Sequence, residues 1–199
     1  MKVLIVVAHP MSESFTLARV RHFADGLAAA GHEAEVANLY EEGFDPVVSV
    51  QEMALWRQGE VPPEVRAYQE RLRQSDALVL AYPVWWNMPP AILAGWLQRV
   101  LTTGFAFRHE GGRTEGLLRM RAQLLVSVGT QGRDDVDLQT LYFEPLHGVL
   151  RYSGMDVLPP DICWGVHPKS DAALLQRYLE ATYRHGYNFL LERARENMV

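Results

Sequence analysis

The stretch 81-AYPVWWNMPPAILAGW-96 runs out of one kind of element and into another. Upstream, 77-ALVLA-81 is short and continuously apolar, as a strand buried on both faces is. Downstream, Pro89 or Pro90 suits the first turn of a helix, where the missing N–H has no partner in any case. That helix should run to about Thr103. A doubly covered strand leading into a helix is the repeating unit of a parallel sheet. The join holds two adjacent tryptophans, which need a cover: the chain's own core, another chain or a flat ligand. Neighbours in extended chain point opposite ways, so one of Trp85 and Trp86 is expected to face the core and the other a crevice.

The same unit recurs along the chain. The run 3-VLIVVA-8 reads as a buried strand, and apolar positions from Ser14 to Ala30 recur at helical spacing until Gly31 stops them. A second strand, 33-EAEVANL-39, is less apolar and belongs nearer an edge. Residues 40–63 have no clear period and read as a long excursion with room for one short helix. A helix follows from Glu64 to Arg73. Beyond the loop 104-GFAFRHEGGRTEG-116 lies a fourth strand, 123-QLLVSV-128, then a helix to about Tyr152. The fifth strand falls in 156-DVLPPDICWG-165, where Pro159 and Pro160 place it at an edge or break it. A last helix spans about Ser170 to Arg195. The alternation predicts one α/β domain over 1–199: a five-stranded parallel sheet in the flavodoxin-like order 2-1-3-4-5, with helices on both faces.

Composition narrows the function. The 199 residues carry a formal net charge of -5, and no run of Lys or Arg exceeds two residues, which argues against nucleic acid or a polybasic membrane contact. The single cysteine, Cys163, makes neither an internal disulfide nor a zinc site, and no metal site is expected. The apolar run at the start is six residues long and ends at His9-Pro10, too short for a signal peptide core. No apolar run approaches the length of a membrane span. A cytoplasmic protein is expected.

In such sheets ligands bind beyond the carboxyl ends of the strands, at the switch point between strands 1 and 3. Three loops meet there: 9-HPMSESFT-16, 82-YPVWWNM-88 and 129-GTQGRDD-135. The first opens a helix, whose free N–H groups and dipole favour an anion, and Ser12, Ser14 and Thr16 add hydroxyls. Ser14 serves equally well as a plain helix cap. His9 ends the strand pointing into this loop. Gly129 and Gly132 leave room for a backbone to approach a planar group, although a glycine after a strand is also an ordinary turn. Neither G-x-x-x-x-G-K-[ST] nor G-x-G-x-x-G occurs, so neither a P-loop nor a dinucleotide fingerprint is present.

Together these loops resemble those of the flavodoxin-like NAD(P)H:quinone oxidoreductases, a family that includes ancillary oxidoreductase subunits of glutathione-regulated potassium-efflux systems. The resemblance rests on 8-AHPMSESFTLA-18 against A-H-P-x-x-x-S-F-N-x-A and on 39-LYEEGFDPVVS-49. It also rests on 83-PVWWNMPPAILAGWLQRVLTTGFAF-107 against P-L-x-W-x-x-x-P-A-x-L-K-G-W-x-D-R-V-x-x-x-G-F-A-F, and on 154-GMDVLPP-160. It implies a bound flavin, with FAD slightly favoured over FMN, and a homodimer. By position it assigns His9, Ser14, Phe15 and Thr16 to the flavin phosphates. It sets Pro83, Val84, Trp85 and Trp86 along the ring, and Gly129, Thr130, Gln131 and Gly132 at the ring's far edge. The chain departs from the pattern at Thr16, Ala94 and Gln98. The Tyr and His that follow the family's third loop have no match in 133-RDDVDLQT-140, so no catalytic residue carries over. Gln131 and Arg133 stand there instead, while Tyr142 and His147 lie further along.

The resemblance implies ping-pong hydride transfer from NAD(P)H through the flavin to a quinone or similar acceptor. An alternative is a flavin-binding regulatory subunit of a potassium-efflux transporter. A one-electron carrier fits less well, because a charge of -5 is modest for that role.

Overall fold

The computed structural model describes residues 1–130 and 138–189; the side chains of 138–142 are outside the description. Its main sheet is built on three strands buried along almost their whole length, β1 (Lys2–Val7), β3 (Ala77–Pro83) and β6 (Arg121–Val128). They pair in parallel, with Val3 opposite Ala77 and Ala77 opposite Arg121. β2 (Glu33–Asn38) flanks β1, as its polar composition predicts. The fifth strand is interrupted: β7 (Asp156–Val157) and β8 (Asp161–Trp164) both pair with β6. Asp156 sits opposite Arg121 but Asp161 opposite Leu125, so the outer chain spends one residue more than the inner. Pro159 and Pro160 lie in that gap and have no N–H to give a ladder. The order β2-β1-β3-β6-β7/β8 is the expected 2-1-3-4-5.

Alternation along the strands sorts the core into two layers. Val3, Ile5 and Val7 face α1 (Phe15–Ala29), whose Leu17, Val20, Phe23 and Leu27 cover them. Leu4 and Val6 face the other way, toward α3 (Pro63–Arg73), α4 (Ala91–Val100) and α5 (Leu138–Tyr152). α6 (Ala172–Asn188) lies beside α1. Gly31 ends α1 with φ 79°, the left-handed conformation that glycine takes without strain.

One segment differs from expectation. The residues read as a plain loop after α4 contain a hairpin, β4 (Phe107–Glu110) with β5 (Arg113–Gly116). Its turn is Gly111-Gly112, both at positive φ, the sequence a two-residue turn of this type requires. The excursion after β2 contains α2 (Val50–Trp56), started by Ser49, whose hydroxyl accepts the Glu52 N–H at 3.0 Å. Among the described residues no helix is long and apolar enough to cross a membrane.

Candidate active site

A cleft of about 680 Å³ opens beyond the carboxyl ends of β1, β3 and β6. Of the twelve residues singled out from the sequence, eight line it: His9, Ser14, Phe15, Thr16, Pro83, Val84, Trp85 and Gly129. Trp86 and Thr130 do not, and Gln131 and Gly132 lie outside the described residues, as does Arg133.

The anion end is α1's N-terminus. Ser14 caps the helix, its Oγ accepting the Leu17 N–H at 3.2 Å, so the plain structural reading of this serine holds. The cap leaves its O–H free to donate. The N–H groups of Phe15 and Thr16 find no acceptor among the described residues. Two backbone donors and the helix dipole therefore converge on the cleft. His9 adds a third donor. Its Nδ1 accepts the Met11 N–H at 3.1 Å, which places the ring's proton on Nε2. Partial burial pushes its pKa below the usual histidine value, so the ring is a neutral donor at neutral pH.

The ring end contradicts the alternation expected for the tryptophans. Neither Trp85 nor Trp86 is in the core: they are 42% and 93% exposed. The chain is not extended there. Trp85 N–H donates to the Met88 carbonyl at 2.9 Å, and the Met88 N–H returns to the Trp85 carbonyl at 3.0 Å. The tight turn this closes forces Trp86 and Asn87 to φ 51° and 62°. Left-handed backbone is costly for a side chain as bulky as Trp, and such strain persists where the surroundings impose it. The turn throws the Trp86 side chain outward. It leaves the Trp86 and Asn87 N–H groups without acceptors among the described residues. Trp85 stays at the cleft wall, its ring 6.1 Å from that of His9.

Two features fit a bound group. The Ser127 hydroxyl is buried, lines the cleft, and has no hydrogen-bond partner among the described residues. An orphaned buried hydroxyl is costly to keep, so a ligand atom at that place is a ready explanation. Gly129 is held by neither backbone nor crowding: its φ is not positive, and an added Cβ would meet only the Val166 carbonyl oxygen, at 3.6 Å. Sequence reasoning missed Ser127 because it sits inside an apolar strand. It also missed His167 and Pro168 on the opposite wall. Their signal was present: 167-HPKS-170 repeats the pattern of 9-HPMS-12. His147 is not in the cleft; it is buried in α5 with Nε2 unpartnered among the described residues, and burial lowers its pKa.

The family described as flavodoxin-like fold matches residues 1–185. A ribosyldihydronicotinamide dehydrogenase-like protein from Penicillium crustosum is 32% identical, over 85% of this chain and 75% of that protein. NAD(P)H dehydrogenase (quinone) 1 from Rattus norvegicus is 27% identical, over 86% of this chain and 72% of that protein. The solved structure of an NAD(P)H:quinone oxidoreductase from Methanothermobacter marburgensis superposes with TM-score 0.84 and 30% identity, covering 95% of this chain and 98% of that one. The sheet order, the cleft and these relatives agree: the chain belongs to the flavodoxin-like NAD(P)H:quinone oxidoreductase family.

Proposed function

We propose that the chain is a flavin-dependent oxidoreductase that passes a hydride from NAD(P)H to a quinone or similar acceptor. The observation that carries this reading is the set of donors in one cleft that have no partner among the described residues: the N–H groups of Phe15 and Thr16 at one end and the Ser127 hydroxyl within it. The flavin, when bound, supplies the hydride chemistry in two half-reactions, and the reductant and the quinone take turns at one face. The protein's own work is to bind and orient. Phe15, Thr16 and His9 hold phosphate, and Trp85 walls the ring. FAD is favoured over FMN, because the cleft continues past the phosphate loop to His167 and Leu175. The protein is further proposed to be a cytoplasmic homodimer. Denaturing the purified protein should release a flavin identifiable by its absorbance and mass, and the holoprotein should oxidise NAD(P)H only when a quinone is supplied. Release of no flavin refutes the reading.

Ser127→Ala gives a sharper check, because its two effects have opposite signs. Removing an unsatisfied buried hydroxyl should leave the apo fold as stable as before, or more stable by up to about 1 kcal/mol. The flavin dissociation constant should nevertheless rise roughly fivefold, for the loss of about 1 kcal/mol of hydrogen bonding. Apo melting and flavin titration measure both. Unchanged affinity would remove Ser127 from the site.

The homodimer is supported by apolar side chains left in the open near the cleft mouth: Met11, Trp86 and Met88 are 64%, 93% and 62% exposed. Trp86→Ala is expected to change the monomer's stability by less than about 0.5 kcal/mol, since so little of it is buried. It should weaken dimerisation at least about tenfold, as loss of a central interface aromatic does. Sedimentation over a concentration series distinguishes this from a Trp86 that serves no interface.

A further inference from the structure

The break in the fifth strand is a β-bulge, and the bulge aims a charge. From Val157 to Asp161 the outer chain advances four residues while β6 advances three, from Ala122 to Leu125. Side chains alternate between the faces of a sheet, so one extra residue exchanges the faces of everything after it. Asp161 therefore stands opposite Leu125, on the face covered by α1. An unbroken strand would have set it opposite Val126, whose side chain belongs to the other layer. The bulge is itself held, because Gln123 Nε2 donates to the Pro159 carbonyl at 2.8 Å.

On that face Asp161 meets Arg19 of α1, which is 1% exposed. The guanidinium donates to Asp161 Oδ1 at 2.8 Å and to the Val126 carbonyl of β6 at 2.6 Å. Its Nε donates to the Thr182 hydroxyl of α6 at 3.1 Å. Two of the elements it joins carry the cleft's donors. Phe15, with the first free N–H of α1, is one turn from Arg19, about 6 Å along the axis. Ser127 follows Val126 directly, and its buried hydroxyl has no partner among the described residues. Ser127 pairs with Cys163, two places beyond Asp161, and so shares Asp161's face of the sheet. Stability alone does not account for a charge here, since a buried ion pair is commonly replaced by apolar side chains of like volume without loss. A planar guanidinium fixes geometry instead: its fork sets several acceptors at fixed distances from one another.

We propose that Arg19 is a positioning residue of the cleft. By binding Asp161, Val126 and Thr182 together it sets the separation between the α1 N–H groups and the Ser127 hydroxyl, so that both meet one ligand at once. Asp161, turned inward by the bulge, is its counter-ion. Donors placed before the ligand arrives lower the entropy cost of binding. This rests on reading the cleft as a flavin site, and the test separates the two.

Flavin-free protein is melted, and is titrated by fluorescence with whichever of FAD and FMN the wild type binds more tightly. The variant Arg19→Met with Asp161→Leu removes both charges together. Its apo form should melt within about 5 °C of the wild type, while its flavin dissociation constant should be at least about tenfold higher. Ser127→Ala supplies the readout that a merely structural role would not move. It should cost about fivefold in affinity in the wild type and less than about twofold in the double variant, because a hydroxyl out of place has no bond to lose. Arg19→Lys keeps a charge beside Asp161 and so should fold, but one nitrogen cannot span three acceptors. It should bind flavin at least about threefold more weakly, again with a Ser127→Ala cost below about twofold. This variant decides the matter should the double variant not fold. Affinity that returns with stability in the double variant, wild-type affinity in Arg19→Lys, or an undiminished Ser127→Ala cost in either background would overturn the role of Arg19 and leave the flavin site standing. So would a Ser127→Ala without effect in the wild type. A wild type that binds neither flavin would overturn both.

Discussion

Arg99→Ala is expected to cost the fold about 3–5 kcal/mol, the usual penalty for removing one partner of a buried ion pair. Arg99 of α4 is 3% exposed, and its partner Glu52 of α2 is 2% exposed. Arg99 Nε lies 3.1 and 2.8 Å from the two Glu52 carboxylate oxygens. Its other nitrogens donate to the Asp45 carbonyl at 2.5 Å and to Glu64 at 2.9 Å. The guanidinium also lies over the Phe44 ring, 5.3 Å from its centroid. One side chain thus pins the whole excursion after β2 onto α4. Truncation leaves the Glu52 carboxylate buried and alone, which is why the cost exceeds that of the lost bonds. Against a typical total of about 5–15 kcal/mol, this is about a fifth of the stability or more. Urea unfolding reads it as a lower midpoint. The double variant Arg99→Met with Glu52→Leu should recover most of the loss, because an apolar pair of similar volume needs no charge compensation. A loss under about 1 kcal/mol for Arg99→Ala would mean that the excursion contributes little to the fold.

The excursion also shows what the sequence could not reveal. Its sequence has no clear period, and it is held by a contact 47 residues away in the chain, which no periodicity reports. The strands that carry their own signal were legible: β1, β3 and β6 are rich in apolar residues and buried on both faces, and their order follows from that and from the polar β2. The break in the fifth strand was legible at Pro159-Pro160. The hairpin after α4 was not, because FRHE and RTEG have no apolar alternation, and only Gly111-Gly112 betrays the turn. At the site, the three loops could be placed from the strand order alone. The two tryptophans were misjudged because alternation assumes extended backbone, and Trp86 and Asn87 abandon it. Ser127 looked like one more core position, since a hydroxyl in an apolar strand gives no sign of which layer or cleft it meets.

Gly26→Ala is expected to lower stability by about 2–3 kcal/mol, although alanine is the better helix former by about 1 kcal/mol. The reason is where α1 meets α6. A Cβ at Gly26 would lie 2.2 Å from the Tyr183 carbonyl oxygen and 2.7 Å from the Tyr187 nitrogen. Facing it, a Cβ at Gly186 would lie 2.2 Å from the Phe23 carbonyl oxygen. All of these neighbours are backbone, so no side chain can swing aside and one helix must move. Overpacking of this kind costs more than the propensity returns. The movement should be taken up at the far ends of the helices. Between the crossing and the cleft, α1 is pinned by Arg19, which is 1% exposed. Arg19 donates to the Val126 carbonyl at 2.6 Å, to Asp161 at 2.8 Å and to the Thr182 hydroxyl at 3.1 Å. It thereby ties α1 to β6, β8 and α6 at once. Gly26 lies about 16 Å along the helix from Phe15, where the anion donors are. Gly26→Ala should therefore unfold at a clearly lower temperature, yet bind flavin within about threefold of the wild type when assayed well below that temperature, a difference under 1 kcal/mol. A tenfold loss of affinity alongside the loss of stability would show that α1 shifts as a rigid rod and that Arg19 does not hold its N-terminal half.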